Sequence, residues 1–231
     1  MTIHLQLLTV ALQGAWVRAI TEAPPPPAAG PTEGVVDGDG GPPLRLLVVG
    51  DSTAAGCGVD THADAFTGNF ADALTVRTRR PVHWRVVGQY GATARRIRHR
   101  LVPSAGTGYD LAVLLCGGND VMSRRGAAQW RDDLTAIVSE LEDRADRVTI
   151  VGIPPFVTFP ALPASLGRYL SGRADALDDV SRQICATSSR TTWVTATGVP
   201  TRNFFASDGL HLSATGYRYW ARSIASQLDL G

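Results

Sequence analysis

Apolar residues along this chain gather into two alternating kinds of run. One kind is short and nearly continuous, as in "LRLLVVG" (44–50), "DLAVLLC" (110–116) and "RVTIVGI" (147–153). Such runs suit parallel strands covered on both faces. The other kind is longer, with apolar positions three and four residues apart, and predicts helices with one buried face. The pattern places strands at Leu44–Gly50, Val82–Gly88, Asp110–Cys116, Arg147–Ile153 and Thr192–Ala196. Helices are expected at Ala65–Val76, Thr93–Leu101, Ala127–Arg144, Arg173–Ser188 and Ser213–Leu228, the last with Ser213 as its N-cap. Strand and helix alternate, which implies a doubly wound parallel sheet with helices on both faces. With 231 residues the chain has room for one such domain with a full core.

Two stretches stand outside this alternation. "MTIHLQLLTVALQGAWVRAI" is mostly apolar, with Thr2, Gln6, Thr9 and Gln13 on one narrow stripe, and is read as an apolar helix over residues 1–22. Its length, about 30 Å at 1.5 Å per residue, is marginal for a membrane span. It lacks the basic start and small-residue cleavage site of a secretory signal. A helix docked on the domain or lying on a membrane, an uncleaved anchor and a cleaved signal all stay open. Residues 23–43, containing "APPPPAAGPTEGVVDGDGGPP", read as an extended Pro/Gly-rich linker, so the folded domain is expected over residues 44–231.

A formal net charge of +1 gives no bulk attraction to nucleic acid or membrane. Every basic residue is arginine, and from Ala73 to Tyr109 eight arginines occur without one acidic residue. A solvated helix face is the expected reading, with a contact for anionic lipid or an anionic substrate as the alternative. The run lacks the aromatic interleaving of a base-stacking surface, so no nucleic-acid partner is expected. Cys57, Cys116 and Cys185 form neither a closed disulfide set nor a metal-ligand spacing. They fit buried thiols in a reducing compartment, hence a cytoplasmic location, with membrane association or secretion through residues 1–22 left open.

In a doubly wound sheet, ligands bind beyond the carboxyl ends of the strands. "GDS" (50–52), "GQYGAT" (88–93) and "GGND" (117–120) follow the first three strands, and "SDGLHLSATGY" (207–217) precedes the last helix. Ser52 needs a base to act as a nucleophile, and the base needs a partner to orient it. His211 has Asp208 three residues before it, a spacing that lets the carboxylate hold one ring nitrogen while the other faces the serine. Acyl transfer also needs donors for a developing oxyanion: Ser52 N–H, Gly91 N–H and the Asn119 amide are the candidates. Each of these residues alone suits a cap or a turn; together they form one constellation.

These four segments, in this order, resemble the blocks of the SGNH hydrolases, also called GDSL esterases and lipases. The second block carries Gly88 where that family often has asparagine. The resemblance implies a flavodoxin-like three-layer α/β/α sandwich with a five-stranded parallel sheet. It also implies Ser52 as nucleophile, Asp208 and His211 completing a triad, and Gly91 and Asn119 in the oxyanion hole. The expected activity is hydrolysis of a small-molecule or lipid ester through an acyl-enzyme, with no metal or organic cofactor. Acyl transfer to, or deacetylation of, a sugar or alcohol is the alternative, and a non-catalytic flavodoxin-like binding module is the rival from another class. In "PPFVTFPALPASLGRYL" (154–170), too long for a simple connection, Phe156, Phe159, Leu162, Leu166 and Tyr169 are candidates for an acyl-binding wall, or else they cover the sheet.

Overall fold

A computed structural model describes residues 25–198 and 202–230. The expected helix over residues 1–22 lies outside the described residues. Along the chain the elements run β1 (Glu33–Val36), β2 (Leu44–Gly50), α1 (Phe66–Thr78), β3 (Val82–Gly88), α2 (Ala94–Arg96), β4 (Tyr109–Leu115), α3 (Gly118–Met122), α4 (Ala127–Glu142), β5 (Ala145–Val151), α5 (Ala164–Cys185), β6 (Thr191–Val194) and α6 (Ala214–Ala225). No helix among the described residues is long and apolar enough to cross a membrane.

β2 is the spine of the sheet because every residue but Arg45 is buried. Its alternation divides the core: Leu46 and Val48 join Phe66, Phe70, Tyr217 and Trp220 of α1 and α6 on one face. Leu47 and Val49 join Trp130, Leu134 and Ile137 of α4 and Leu177 of α5 on the other. Fully burying one such aliphatic side chain is worth roughly 1.5–3 kcal/mol, so apolar residues on both faces of the strand commit β2 to the centre. The parallel strands lie in the order β3-β2-β4-β5-β6, the flavodoxin-like arrangement, with its switch point between β2 and β4.

The sheet has six strands, not the expected five, and is mixed. β1, inside the segment read as a linker, pairs antiparallel with β3, from Glu33 opposite Arg85 to Val36 opposite Val82. Just before it, Ala28 N–H donates to the Ala55 carbonyl (2.9 Å) and Ala29 N–H to that of Asp60 (2.8 Å). Proline and glycine mask the strand in the composition, but the outer edge of β3 offers unpaired backbone groups that this short segment satisfies. A second difference lies in α5, which begins at Ala164, nine residues before the expected Arg173. Gly167 and Gly172 weaken its helical signature, yet Gly167 lets the helix pack on the backbone of Phe156 and Val157. The expected helix over Thr93–Leu101 is one α turn followed by a π-helical turn at Ile97–Leu101 and a 3-10 turn containing Pro103.

Asp178 of α5 fastens the carboxyl end of β5: both its oxygens accept Ile153 N–H, at 3.2 and 3.1 Å. Burial pushes this carboxyl up to about 6, against the Ile153 N–H, which favours its ionised form. A value above the unfolded one means that protonated Asp178 contributes stability in full below about pH 4, and that this is lost as the pH rises through about 6. Asp178→Asn removes the titration. Its stability relative to wild type is therefore expected to rise by about 3 kcal/mol between about pH 4 and pH 8. Denaturant unfolding across that range checks this, and an offset that does not change with pH contradicts it.

Candidate active site

Beyond Gly50 the chain turns sharply. Asp51 N–H donates to the Leu115 carbonyl at the end of β4 (3.0 Å), and Asp51 Oδ1 accepts Thr53 N–H (3.0 Å). The turn continues with Ala55 N–H on the Asp51 carbonyl (2.9 Å) and Cys57 N–H on that of Ser52 (3.0 Å). Tyr217 of α6 pins it by donating its hydroxyl to the Cys57 carbonyl (2.7 Å). Burial pushes the Asp51 carboxyl up to about 6, more than Thr53 and the facing His211 lower it. The turn crosses the end of β3, where a Cβ at Gly88 would lie 2.3 Å from Ala55 N. That close approach excludes asparagine at this position.

His211 and Asp208 are presented by a narrow loop before α6. Phe205 bridges to Leu212, and Ala206 N–H donates to the His211 carbonyl (2.8 Å). Asp208 Oδ1 accepts the backbone N–H groups of Leu210 and His211, both at 3.0 Å, while Oδ2 lies 2.6 Å from His211 Nδ1. A carboxylate only accepts, so Nδ1 carries the proton and the lone pair of Nε2 faces Ser52 Oγ, 3.1 Å away. Burial opposes the charge on Asp208, but the His211 ring and the two backbone donors outweigh it and hold the carboxyl below its usual range. Tyr90 leans on the imidazole, with ring centroids 5.9 Å apart.

Gly91 lies in the left-handed region (φ 70°), where glycine is favoured, in a turn after β3. Asn119 and Asp120 hold this turn from α3. Asn119 Nδ2 donates to the Ala92 carbonyl (3.0 Å), which leaves a second amide hydrogen for another acceptor. Fully buried Asp120 accepts Ala94 N–H (2.9 Å) and pairs with Arg125 Nε (3.0 Å). Arg125 also pairs with Asp133, and Arg98 reaches the same carboxylate at 3.4 Å. Two adjacent side chains thus grip the segment just after Gly91.

Ser52, Asp208, His211 and Asn119 border one cavity of about 420 Å³, lined mainly by apolar side chains. Gly91 is not among its lining residues; its neighbour Tyr90 is. Phe156, Phe159 and Leu162 line the cavity, and Phe159 packs against both Phe156 (5.3 Å) and Phe205 (5.6 Å). Leu166 and Tyr169 do not: both belong to α5 and pack on the core between α5 and the sheet. Sequence reading did not single out Tyr90, Met122 or Phe205. Only their positions beside Gly91, Asn119 and Asp208 signalled them. Cys57 is fully buried away from the cavity, whereas Cys116 lines it, and burial raises both thiols above their ordinary value.

The GDSL-like lipase/acylhydrolase family model matches residues 48–219. The chain belongs to this family. It is a carboxylic ester hydrolase of the SGNH superfamily, and its sheet order fits that fold. A search of curated protein sequences finds no match. Among solved structures, this GDSL-like hydrolase is similar to an extracellular lipase from Streptomyces rimosus, at 14% identity over 80% of this chain and 100% of that one (TM-score 0.63). It is also similar to TesA, at 22% identity over 78% and 96% of the two chains (TM-score 0.60). A carbohydrate acetylesterase from Sinorhizobium meliloti matches at 17% identity over 80% and 97% (TM-score 0.59). At these identities the likeness is one of fold.

The grip of Asp120 on the Gly91 turn is testable as stability. Asp120→Ala strands a buried N–H and the Arg125 guanidinium, with an expected loss of about 3 kcal/mol. Asp120→Asn keeps an acceptor for Ala94 and loses about 1 kcal/mol. Urea unfolding at neutral pH measures both, and equal losses would contradict the separate role of the Ala94 hydrogen bond.

Proposed function

We propose that this GDSL-like hydrolase is a serine esterase in which Ser52 is the nucleophile, His211 the general base and Asp208 the group that orients it. The observation that carries the reading is the unbroken line of hydrogen bonds from Ser52 Oγ through His211 to Asp208, bordering an apolar cavity. Ser52 Oγ attacks the ester carbonyl while its proton passes to His211 Nε2, and the carbonyl electron pair moves onto oxygen. The oxyanion is held by Ser52 N–H, Gly91 N–H and the free hydrogen of Asn119 Nδ2. When the carbonyl re-forms, the alcohol leaves with the proton from His211. Water, deprotonated by His211, then repeats the attack on the acyl-serine and releases the acid. Asp208, held ionised by three donors, stabilises the imidazolium in both halves.

The wall of Phe156, Phe159, Leu162 and Phe205 supports an apolar acyl group as the part of the substrate that enters. A polar sugar face would find few partners there.

Hydrolysis of p-nitrophenyl esters from acetate to palmitate tests the reading. Ser52→Ala is expected to lose about 10⁴-fold or more in kcat and all labelling by a fluorophosphonate. Turnover equal to wild type in that variant would overturn the proposal. Asn119→Ala is expected to lower kcat about 10²–10³-fold with little change in KM. Phe159→Ala widens the cavity and should shift the preferred acyl length upward, whereas an unchanged profile would remove it from the acyl wall.

A further inference from the structure

We propose that the carboxyl edge of the sheet docks on an anionic lipid surface, with the cavity mouth facing the bilayer. Large apolar side chains are rarely left exposed together, and three are at this edge: Tyr90, Met122 and Val157, with 45%, 49% and 54% of their surface open. Tyr90 and Met122 border the cavity, and Val157 stands between Phe156 and Thr158, which also border it. These residues lie in three separate loop regions, after β3, at the C-terminal end of α3 and after β5, so no single local turn accounts for their exposure.

Cations flank the same three loops. Arg95 and Arg96 complete α2, whose first residue Ala94 donates to Asp120 of α3, the helix that ends at Met122. Arg124 stands at the tip of the turn after α3, in the left-handed region (φ 56°). Arg168 follows Gly167, whose backbone packs on Val157. All four arginines are exposed, and none is paired with a carboxylate among the described residues. Arg98 and Arg125, by contrast, are held by Asp133. Of the acidic residues of α3 and the first turns of α4, Asp120 and Asp133 are buried in those pairs, and Asp132 alone is exposed. The exposed Asp60 and Asp64 belong to the β2–α1 loop on the side of Ala29.

An apolar centre with a cationic border matches the two terms of binding at a membrane interface. Apolar side chains enter the acyl boundary, while arginines meet anionic headgroups. A second copy of this chain would bring arginine against arginine, and a soluble polyanion would leave the apolar centre unused. Docking in this pose would let a lipid ester reach the cavity without crossing water. The surface is independent of the serine esterase reading, because it needs no reaction at Ser52.

Sedimentation of the full chain with phosphatidylcholine vesicles, with and without about 30% phosphatidylglycerol, tests the proposal. Wild type and Ser52→Ala are both expected to bind the anionic vesicles and to release them as salt rises from about 0.05 to 0.5 M. The combined R95Q, R96Q, R124Q and R168Q variant should bind about tenfold or more weakly while keeping turnover of a water-soluble short ester. Met122→Ser with Val157→Ser should also weaken binding, which a purely ionic contact would not show. Binding by both variants equal to wild type, or equal binding of wild type to neutral vesicles, would overturn the proposal. So would wild-type self-association without lipid that the serine variant abolishes. Competition by dextran sulfate, with binding unaffected by the serine changes, would reassign the patch to a soluble polyanion.

Discussion

The site depends on how closely the ends of three neighbouring strands approach one another. Gly50 at the end of β2 accepts Gln89 N–H from the end of β3 (3.1 Å), while Asp51 donates to Leu115 at the end of β4 (3.0 Å). These two bonds tie the loops after β3, β2 and β4 together at the point where a parallel sheet reverses its winding order. Ser52 therefore emerges between the loop of Gly91 and that of Asn119 without any long connection to hold it there. The price of this compactness is steric: the Ser52 turn crosses β3 so closely that only hydrogen fits at Gly88.

Electrostatics divides the buried carboxylates near the site into two kinds. Asp51 and Asp120 are raised to about 6 because burial exceeds the help of their hydrogen-bond donors. Asp208 is buried as well, yet two backbone N–H groups and the imidazole hold it below its usual range. The difference is one of donor number and geometry. A carboxylate with three well-aligned donors stays ionised and can orient a base, whereas those held less fully serve to fasten loops.

The same architecture accounts for the shape of the cavity. Each loop that leaves the carboxyl edge contributes a different part: polar groups from the β2, β4 and pre-α6 loops, apolar walls from the β5 loop and from Phe205. Where those loops pass the rim, Tyr90, Met122 and Val157 remain uncovered. The apolar interior thus continues onto an apolar rim, so the surface that sheds water extends from the pocket to its mouth.

Much of this was legible in the sequence because it is local or periodic. The nearly continuous apolar run of β2 commits it to a buried centre whatever its neighbours. The Asp208–His211 spacing determines their contact, since three residues in a tight loop leave little freedom, and the four polar segments must share one edge of a doubly wound sheet. Other features arise only between parts distant in the chain. β1 exists because β3 has an open edge, and neither composition nor pattern of residues 33–36 reveals that partner. Leu166 and Tyr169 have the chemistry of an acyl wall, but α5 turns them into the core while Phe205 takes a place beside Phe159. Gly88 reads as a lost side chain until the turn above it is seen to need the space. Sequence by itself determined which residues are chemically able to act and which strands are buried. Tertiary structure decided which of them meet, because edge pairing, close backbone approach and the direction a helix turns its side chains are properties of neighbours that the local chain does not contain.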